Sequence, residues 1–569
     1  MNSLKLKPKQ KQRSPGNVFS GSKGINLASK GEKYLWSMGG ALIIGLIMIA
    51  AFLLLILVNG LKTFYPGPVH RVTLTDNRVI AGEPFRREKI SQDQTLETSR
   101  EDTCSAWRTL YKTGNFDLYN KDFRWVDEQD IKQISEPKDI FYIERTEWGP
   151  FIGYIHELNL NHETFFFSRE RLSQLKKEHK AAQARRNILK DLKKKEMGSI
   201  NHELDNLRLS LKRVELDHGK DSVRYKTTLD SLSAKRKKLE ENYGEIADKI
   251  EIIIKKDAKY SVVLKDVSGI EKRVNISDII RFYPANNLTL SQKTGIYISR
   301  WIEFLTAEPR EANIEGGVMP AIFGTFAMTL LMVIIVAPLG VMASLYLKEY
   351  AKQGKLVSMV RICVNNLAGV PSIVYGAFGL GFFAYCVGTT VDRIFFPEYL
   401  PNPVYGTGGI LWAALTLALL TLPVVIVATE EALAAVPQSL REGSLACGAS
   451  KWQTIKNIVL PNALPGIMTG LILAMARGAG EVAPLMLVGV VKLAPDLPVD
   501  TIFPFIHPER SFMHLGFHIF DVGFQSRNAE AGKPMVFVTT LLLISLIGLM
   551  NAFAIHIRSR MKKKYSVGQ

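Results

Sequence analysis

Apolar and polar residues along this chain are separated into long blocks. Residues 1–36 and 62–316 are mostly polar, one uncharged apolar run covers 38–58, and five more apolar runs lie between 320 and 555. A helix needs about 20 apolar residues to cross the hydrocarbon core of a bilayer. Each run therefore predicts a transmembrane helix, and the five later helices are expected at 320–347, 360–387, 408–429, 464–491 and 535–555.

The charges that flank these runs predict the topology. Eight basic residues and one acidic residue precede the first run, and five basic residues follow the last one. The first run is longer than the roughly 7–15 apolar residues of a signal peptide and lacks a small-residue cleavage site, so we expect a retained anchor. Because basic residues favour the cytoplasmic side, six crossings predict cytoplasmic termini and an extracytoplasmic location for residues 62–316.

The polar block 62–316 is predicted to be an α+β domain. Short β-branched and aromatic runs predict strands within 140–167 and 260–276, with a hairpin turn at Ser268-Gly269. Between them, apolar steps of three and four residues over 204–214 and 239–253 form the heptad signature of a coiled coil. The pattern breaks at 217–220, with a second candidate break at 197–199, so we expect an antiparallel hairpin within 168–256. Its charged faces are either solvated surface around the hairpin's own seam or a docking surface for a partner.

Charge and cysteine content restrict the possible partners. The 569-residue chain has a formal charge of +18, from 72 basic and 54 acidic residues, a balance that suggests nucleic acid or an anionic membrane surface. Much of the excess lies in the two tails, where topology explains it, so membrane lipid is an expected partner and nucleic acid is not. The four cysteines, of which Cys104 alone lies in the polar half, include no CxxC pair, so no disulfide framework or zinc site is expected.

The segment after the fourth run is predicted to form two short helices on the cytoplasmic side. The first helix turns at Pro437 and restarts with Ser439 as the candidate N-cap. Gly448 is expected to end it, because a residue without a side chain tolerates the turn that follows a helix. Ser450 is the candidate cap of the next helix, which we expect to end at Pro461.

The spacing within this segment resembles the EAA loop of ABC importer permeases, E-A-A-x3-G-x9-I-x-L-P. The positions that match are Glu442, Gly443, Ser444, Gly448, Ile458, Leu460 and Pro461. In that family the loop's short helix inserts into a groove of the ATPase subunit, so the resemblance implies that these residues couple the chain to an ATPase. The chain has no G-x4-G-K-[ST] phosphate cradle, so two separate ATPase subunits are expected to bind ATP.

Two further segments resemble phosphate-specific ABC transporter permeases. They are G-V-P-S-I-V-Y-G-A-F-G-L-G at 369–381 and A-R-G-A-G-E-V-A-P at 476–484. The second is similar to the A-R-A-x-G-E-T-A-P pattern of the PstA-type subunit, from which Gly478 and Val482 depart. The resemblance covers about 319–557, less than half of the chain. It implies a bacterial inner membrane as the location, with a second permease subunit and an extracytoplasmic phosphate-binding protein as partners. Residues 62–316 then resemble an enlarged periplasmic version of a loop that is short in compact family members, and the resemblance implies no function for them.

Arg477 and Glu481 are the candidate substrate-pathway residues. They are predicted to lie one turn apart on one face of the fifth helix, with Arg477 near its middle. A charge at the centre of a bilayer costs at least about 2.5–3.5 kcal/mol, which favours a water-lined cavity or an internal ion pair. Arginine offers several donors to phosphate oxygens, while the small residues 478–480 allow close approach of another helix. A purely structural pair that locks two helices is the alternative.

No catalytic residue, metal site or cofactor is expected. His514 and His518 have the spacing of two metal ligands but lack a third, and an interfacial helix with Phe512, Leu515 and Ile519 explains them better. His156 and His162 are no stronger, and no Ser-His-Asp or Cys-His arrangement is visible.

The predicted architecture is an all-α, six-helix permease core of the ABC importer type at 317–557. It carries an inserted extracytoplasmic α+β domain at 62–316, the anchor at 37–61 and basic tails at 1–36 and 558–569. The predicted function is that of one permease subunit of an ATP-driven phosphate importer. The alternatives are the sister permease, an importer of sulfate or molybdate, and a coiled-coil envelope scaffold or receptor.

Overall fold

The structure is a computed structural model that describes residues 32–89, 107–161, 163–310, 313–494, 496–500, 505–526 and 529–565. Most of the basic tail 1–36, the end of the tail 558–569, Cys104 and His162 lie outside these residues. The chain divides into two compact units, 1–58 and 59–569. The first unit contributes most of helix α1 (Glu32–Lys62), which includes the predicted anchor and, at about 1.5 Å per residue, exceeds the roughly 30 Å of a bilayer core.

The second unit begins with an antiparallel five-stranded sheet in the order β4-β3-β2-β1-β5. Its core consists of alternate side chains, including Val72, Ile80 and Val126, which lie on one face because successive residues of a strand point to opposite faces. None of these strands is predicted from the sequence, because their apolar residues are interrupted by charged ones. They are β1 (His70–Leu74), β2 (Val79–Lys89), β3 (Trp107–Lys112), β4 (Phe123–Asp127) and β5 (Ile131–Ser135).

A second antiparallel sheet has the order β10-β9-β7-β6-β11, with β8 paired to β7. It contains the strands predicted within 140–167 and 260–276, and Gly269, at φ +95°, lies in the predicted hairpin turn between β9 and β10. Its strands are β6 (Phe141–Arg145), β7 (Phe151–Leu160), β8 (Glu163–Phe166), β9 (Tyr260–Lys265), β10 (Glu271–Asn275) and β11 (Ile279–Pro284). A short ribbon of β12 (Pro309–Arg310) and β13 (Glu315–Gly316) follows.

The helices of this sheet domain (residues 62–316) include the predicted hairpin. They are α2 (Phe116–Tyr119), α3 (Leu172–Asp191), α4 (Gly198–His218), α5 (Val223–Asp257) and α6 (Leu290–Thr306). A π-helical turn, Leu192–Met197, joins α3 to α4, so the candidate break at 197–199 is wrong. The hairpin turn falls at Gly219, φ +78°, inside the predicted break at 217–220. Leu204, Leu239, Ile246 and Ile250 of the heptad pattern lie in one apolar cluster; a supercoiled coiled coil stays a prediction.

The hairpin contacts the membrane part of its own chain. Arg213 on α4 pairs with Glu398, whose side chain is buried, and the Lys212 ammonium donates to the carbonyl of Leu400. Both acceptors lie in the loop between the third and fourth candidate spans. At least part of the charged surface of α4 is therefore bound within the chain.

Six helices among the described residues are long and apolar enough to cross a membrane: Trp36–Lys62, Met319–Tyr350, Ser372–Phe395, Ile410–Ala434, Lys451–Gly480 and Glu530–Lys564. This agrees with the predicted number. Some of these spans combine α-helices with π-helical turns. The helices after α6 are α7 (Met319–Leu345), α8 (Lys355–Leu367), α9 (Ser372–Phe378), α10 (Thr389–Phe395), α11 (Ile410–Ala434), α12 (Gln438–Ala446), α13 (Lys451–Thr454), α14 (Leu460–Gly480), α15 (Ala483–Val488), α16 (Leu515–Phe520) and α17 (Ala529–Tyr565).

The predicted third helix, 360–387, has the wrong bounds. Helix α8 ends at Leu367, and the candidate span starts after Pro371 and runs to Phe395. Proline cannot donate the next helical hydrogen bond and disfavours the helical conformation of the residue before it, so the apolar run is divided there. Hydropathy alone joined the two helices because α8 carries apolar residues on one side.

Helix α11 lies at the centre of the helical core and packs against both α7 and α14. A Cβ atom at Gly466 would lie 2.5 Å from the Ala432 Cβ, and one at Gly470 would lie 2.5 Å from the Ala428 Cβ. These paired small residues, four apart on each helix, let the two backbones approach closely, as is typical of membrane helices. Of the residues 478–480, which are predicted to allow close approach of another helix, Gly478 does so, because a Cβ atom there would meet the Met332 sulfur. Gly480 has no such neighbour.

Candidate functional site: the coupling loop and the charged pair

The candidate coupling loop, residues 430–461, contains a helix, a left-handed residue and a second helix. Helix α12 begins at Gln438 directly after Pro437, so Ser439 lies inside the helix and is not its cap. The N–H of Gly448 donates to the Leu445 carbonyl, and Gly448 has a φ of +84°. This left-handed conformation is common for the residue that follows the end of a helix, and glycine adopts it most easily. The predicted turn at Gly448 is thus present in the structure.

Ser450 caps the second helix as predicted. Its hydroxyl accepts from the Gln453 N–H at 3.2 Å, and the Gln453 side chain accepts from the Ser450 N–H at 2.8 Å, which together form a capping box. The two helices also contact each other directly, because the hydroxyls of Ser444 and Thr454 lie 2.9 Å apart. This contact and the capping box give the loop a defined angle.

Pro461 does not end the second helix, contrary to the prediction. The helix continues from Lys451 through the π-helical turn Ile455–Val459 into α14 and reaches Gly480. The wider turn accommodates the missing N–H and the ring of proline, which an ordinary α-helical turn does not. Ile458, Leu460 and Pro461 are therefore half-buried on the long helix, whereas Glu442 and Gly443 are exposed on α12.

Arg441 is an important residue of the loop that the motif does not include. Its guanidinium donates to the carbonyl of Val436 at 2.6 Å and to that of Leu433 at 2.7 Å, and it pairs with the Glu349 carboxylate at 3.2 Å. Both charged side chains are about one-seventh exposed, at 14% and 13%. Arg441 thereby joins α12 to the last carbonyls of α11 and to the end of the second span. The only sequence feature that could have pointed to Arg441 is its position next to Glu442 of the motif.

Arg477 and Glu481 lie at the end of a helix and not at its middle. Helix α14 stops at Gly480, and Glu481 is extended, with φ −78° and ψ 135°. Gly478 and Gly480 weaken the last turn, and Pro484 has no N–H to continue it. The predicted helix 464–491 is thus wrong at both ends, because the continuous helix starts at Lys451 and breaks after Gly480.

The charged pair is loose and accessible. The Arg477 Nε lies 3.6 Å from the Glu481 Oε1, too far for a good hydrogen bond, and the two side chains are 35% and 22% exposed. The two segments that resemble phosphate permeases meet here: a Cβ at Gly376 on α9 would lie 2.7 Å from the Pro484 Cα at the start of α15. The structure therefore brings the motifs at 369–381 and 476–484 into contact around a break in a membrane helix.

His514 and His518 are buried, not interfacial as predicted. Both side chains are at most 2% exposed, and the Leu515 N–H next to them donates to the Thr325 hydroxyl on α7 at 2.9 Å. Burial lowers the pKa of His514 to about 3 and that of His518 to about 4, so both rings are neutral. Within the described parts of the chain, no group of three or more His, Cys, Asp or Glu residues could hold a metal ion.

Comparison with known proteins agrees with a helical membrane transport subunit. Residues 337–563 match the family model described as binding-protein-dependent transport system inner membrane component. Over 254 residues, the chain is 33% identical to the probable ABC transporter permease protein YqgI of Bacillus subtilis, an alignment that covers 43% of this chain and 80% of that protein. The chain therefore belongs to this family of ABC transporter permeases, which are integral inner-membrane transport subunits.

Other relatives are matched over shorter lengths. The probable ABC transporter permease protein YqgH of Bacillus subtilis is 38% identical over 35% of this chain and 62% of its own length. The phosphate transport system permease protein PstA 1 of Mycobacterium tuberculosis (strain H37Rv) is 40% identical over 31% of this chain and 52% of its own length. The chain thus spans only about half to two thirds of these two relatives.

Solved ABC transporters show weak structural similarity. A bacterial transporter involved in the import of the acidic polysaccharide alginate matches with a TM-score of 0.33 at 16% identity, over 46% of this chain and 83% of that one. The MetNI methionine transporter matches with a TM-score of 0.32 at 21% identity, over 42% and 94%. At these TM-scores, neither similarity supports a conclusion about this chain.

Proposed function

We propose that this chain is one permease subunit of an ATP-driven importer of inorganic phosphate. A second permease subunit lines the other half of the pathway, two ATPase subunits bind the cytoplasmic coupling loops, and an extracytoplasmic binding protein delivers phosphate. ATP binding and hydrolysis on the partner chains alternate the access of the pathway, which involves no covalent chemistry on this chain.

One observation carries the coupling role: the loop is held firmly but presents apolar side chains to its surroundings. Leu440 and Leu445 on α12 are 39% and 50% exposed, and Trp452 on the first turn of the following helix is 57% exposed, while Arg441 and the Ser450 cap hold the loop in place. A short helix with exposed apolar residues on a rigid support is suited to insertion into a groove of another protein. This supports an ATPase groove as its partner.

The substrate assignment is supported by the charged pair and by the PstA relatives. An arginine at the end of a broken membrane helix offers several donors to an oxyanion, and its 3.6 Å contact with Glu481 is weak enough to be exchanged for a phosphate oxygen. The identity with a phosphate transport system permease favours phosphate over sulfate or molybdate. The topology that this requires has both termini and the coupling loop in the cytoplasm and residues 62–316 in the periplasm.

Phosphate uptake in cells that carry Arg477→Gln or Glu481→Gln tests the pathway role. Arg236→Gln is the control, because Arg236 and Glu240 form an ion pair with the same i,i+4 spacing on α5, outside the coupling loop and the charged pair. We expect uptake to fall in both pathway variants and to persist in the control, with all proteins present in the membrane at equal amounts. Normal uptake by both pathway variants would exclude the proposed role, and uptake of sulfate or molybdate in place of phosphate would exclude the substrate.

The exposed Cys447 tests the location of the loop. In a variant with Cys104, Cys363 and Cys386 replaced by serine, a membrane-impermeant thiol reagent should modify Cys447 in inside-out vesicles and not in intact spheroplasts. Binding of the ATPase subunit should protect it. Modification in spheroplasts would place the loop outside, and the importer proposal would then be wrong.

A further inference from the structure

A cavity of about 960 Å³ lies between the sheet domain, the last residues of α1 (Asn59 and Lys62) and the first turns of α17, away from the coupling loop and the charged pair. Its walls come from residues 59–68, from β2 and β3, from α6 and from the first turns of α17. The residues of α17 that line it end at Phe537, whereas the candidate span continues to Lys564. The cavity thus lies where the sheet domain meets the end of a membrane helix, at the level of a lipid headgroup layer.

The lining of the cavity is amphiphilic. Aromatic side chains, among them Phe64, Phe85, Phe123 and Phe537, share the walls with eight basic and six acidic residues. An entirely apolar ligand would leave these charges without solvent, and a small ion would not cover the aromatic surface. The occupant that suits both parts has a charged group joined to an apolar one.

The charge available in the cavity is positive. Glu144 and Glu303 are already bound by the guanidiniums of Arg281, Arg300 and Arg310. Burial raises the pKa of Glu144, but the three arginines together outweigh burial and hold this pKa below its usual value. In the described residues, no carboxylate forms a salt bridge with the lining residues Lys62, Lys121 or Lys293. With eight basic and six acidic residues in the lining, these ammonium groups leave the cavity with an excess of positive charge that suits an anion.

Helix α6 has the amphipathic pattern of a helix at a membrane surface, and it lines the cavity. One face carries Arg300 towards the cavity, while Ile298, Ile302 and Leu305 form an apolar stripe that is 52%, 57% and 40% exposed. The helix precedes the span that begins at Met319. An amphipathic helix with this arrangement lies in a membrane surface. Its Trp301 ring packs edge-on against Phe64, a lining residue, with centroids 5.1 Å apart, and such aromatic residues are enriched at that depth.

We propose that this cavity binds the phosphate-bearing headgroup of an anionic membrane phospholipid. Its phosphate is held by Lys62, Lys121 and Lys293, and the first part of its acyl chains lies on Phe64 and Phe537. The lipid thereby joins the sheet domain to the outer end of α17. A free phosphate ion offers the same anion without the apolar part.

Native mass spectrometry of the full chain with added phosphatidylglycerol tests this proposal. The variant K62Q/K121Q/K293Q should bind this lipid about 100-fold more weakly, because each lysine near an anionic lipid contributes roughly fivefold. The matched control is K235Q/K237Q/K238Q, which removes the same charge from exposed positions of α5 and should bind as the wild type does. The charge-conserving variant K62R/K121R/K293R should restore binding, which separates a loss of charge from a loss of folding.

The alternatives give different results in the same experiment. If inorganic phosphate displaces the phosphatidylglycerol and binds with the same dependence on the three lysines, the cavity is a free-phosphate site and the lipid proposal is wrong. If an uncharged diacylglycerol binds as tightly as phosphatidylglycerol, the headgroup is not recognised. Equal binding by the glutamine variant and the wild type would also overturn the proposal. Phosphate uptake is not a readout here, so failure of the importer proposal would leave this test unaffected.

Discussion

Replacing Arg441 by glutamine should release α12 from the end of α11. The substitution removes a guanidinium that donates to the carbonyls of Leu433 and Val436 and pairs with Glu349. Glutamine is too short to reach all three groups and carries no charge, so the Glu349 carboxylate loses its counter-charge in a site where it is only 13% exposed. The helix itself keeps its sequence from Gln438 to Ala446 apart from this position.

The structure sets the size of the expected effect. A hydrogen bond from a charged group contributes about 1.5–3 kcal/mol, and removing one member of a buried ion pair costs about 3–5 kcal/mol. These contributions overlap, and Arg441 keeps some access to solvent, so we expect a loss of about 3 kcal/mol in the free energy of local opening. Since about 1.4 kcal/mol corresponds to a factor of ten, this is on the order of a 100-fold change in the opening equilibrium.

Hydrogen exchange at the backbone amides of α12 measures that change directly. In the purified chain, exchange should be about 100-fold faster in Arg441→Gln, with a smaller effect in Arg441→Lys, because lysine keeps the charge but lacks the planar set of donors. Lys456→Gln, at an exposed position on the adjoining helix, is the control and should leave exchange unchanged. Equal exchange of α12 in Arg441→Gln and the wild type would refute the reasoning and would show that apolar contacts alone hold the loop.

Three further predictions concern the backbone, the helix packing and pH. Gly448→Val should weaken recruitment of the ATPase in a pull-down, because φ +84° costs an L-residue about 1–2 kcal/mol. The control Gly244→Val, at an open position of α5 without a positive φ, should leave recruitment unchanged; equal recruitment by Gly448→Val and the wild type would contradict the reasoning. Gly470→Leu should separate α14 from α11 and lower the melting temperature, since a Cβ there already lies 2.5 Å from Ala428; an unchanged melting temperature would disprove the close contact. The folded-state pKa of His514 is about 3, below its ordinary value of 6.5, so between these values the unfolded state binds a proton that the folded state does not. The contribution of neutral His514 to the free energy of unfolding is therefore fully present above about pH 6.5 and is about 2 kcal/mol lower at pH 5. The melting temperature of His514→Asn should fall less between pH 7.5 and pH 5, and an equal fall would refute the assignment.

Much of the membrane part could be predicted because its signals are local. Apolar runs predicted six candidate spans, since crossing a bilayer requires a continuous run of about 20 apolar residues whatever the neighbouring helices are. The turns at Gly219, Gly269 and Gly448 were predictable because glycine adopts a positive φ at little cost. The cap at Ser450 was predictable because its partner lies only three residues away.

Two wrong predictions concern proline residues, whose effect on a helix depends on the surrounding structure. Pro461 was expected to end a helix, but a π-helical turn accommodates it. The apolar run 360–387 predicts one helix, but Pro371 divides it. Proline removes one hydrogen bond in every case, but whether the helix ends or adapts depends on the packing around it, which the sequence pattern does not contain.

The order of amino acids is enough to predict which segments are apolar enough to enter a membrane, where the chain turns, and which motif residues the chain carries. Folding was needed to reveal that Arg441 binds the end of α11, that Gly466 and Gly470 meet alanines of another helix, and that residues far apart in the chain enclose the cavity beside α17. The two kinds of feature differ in range, because hydropathy and backbone preference act within a few residues, whereas ion pairs, close helix contacts and cavities arise between groups that only folding brings together.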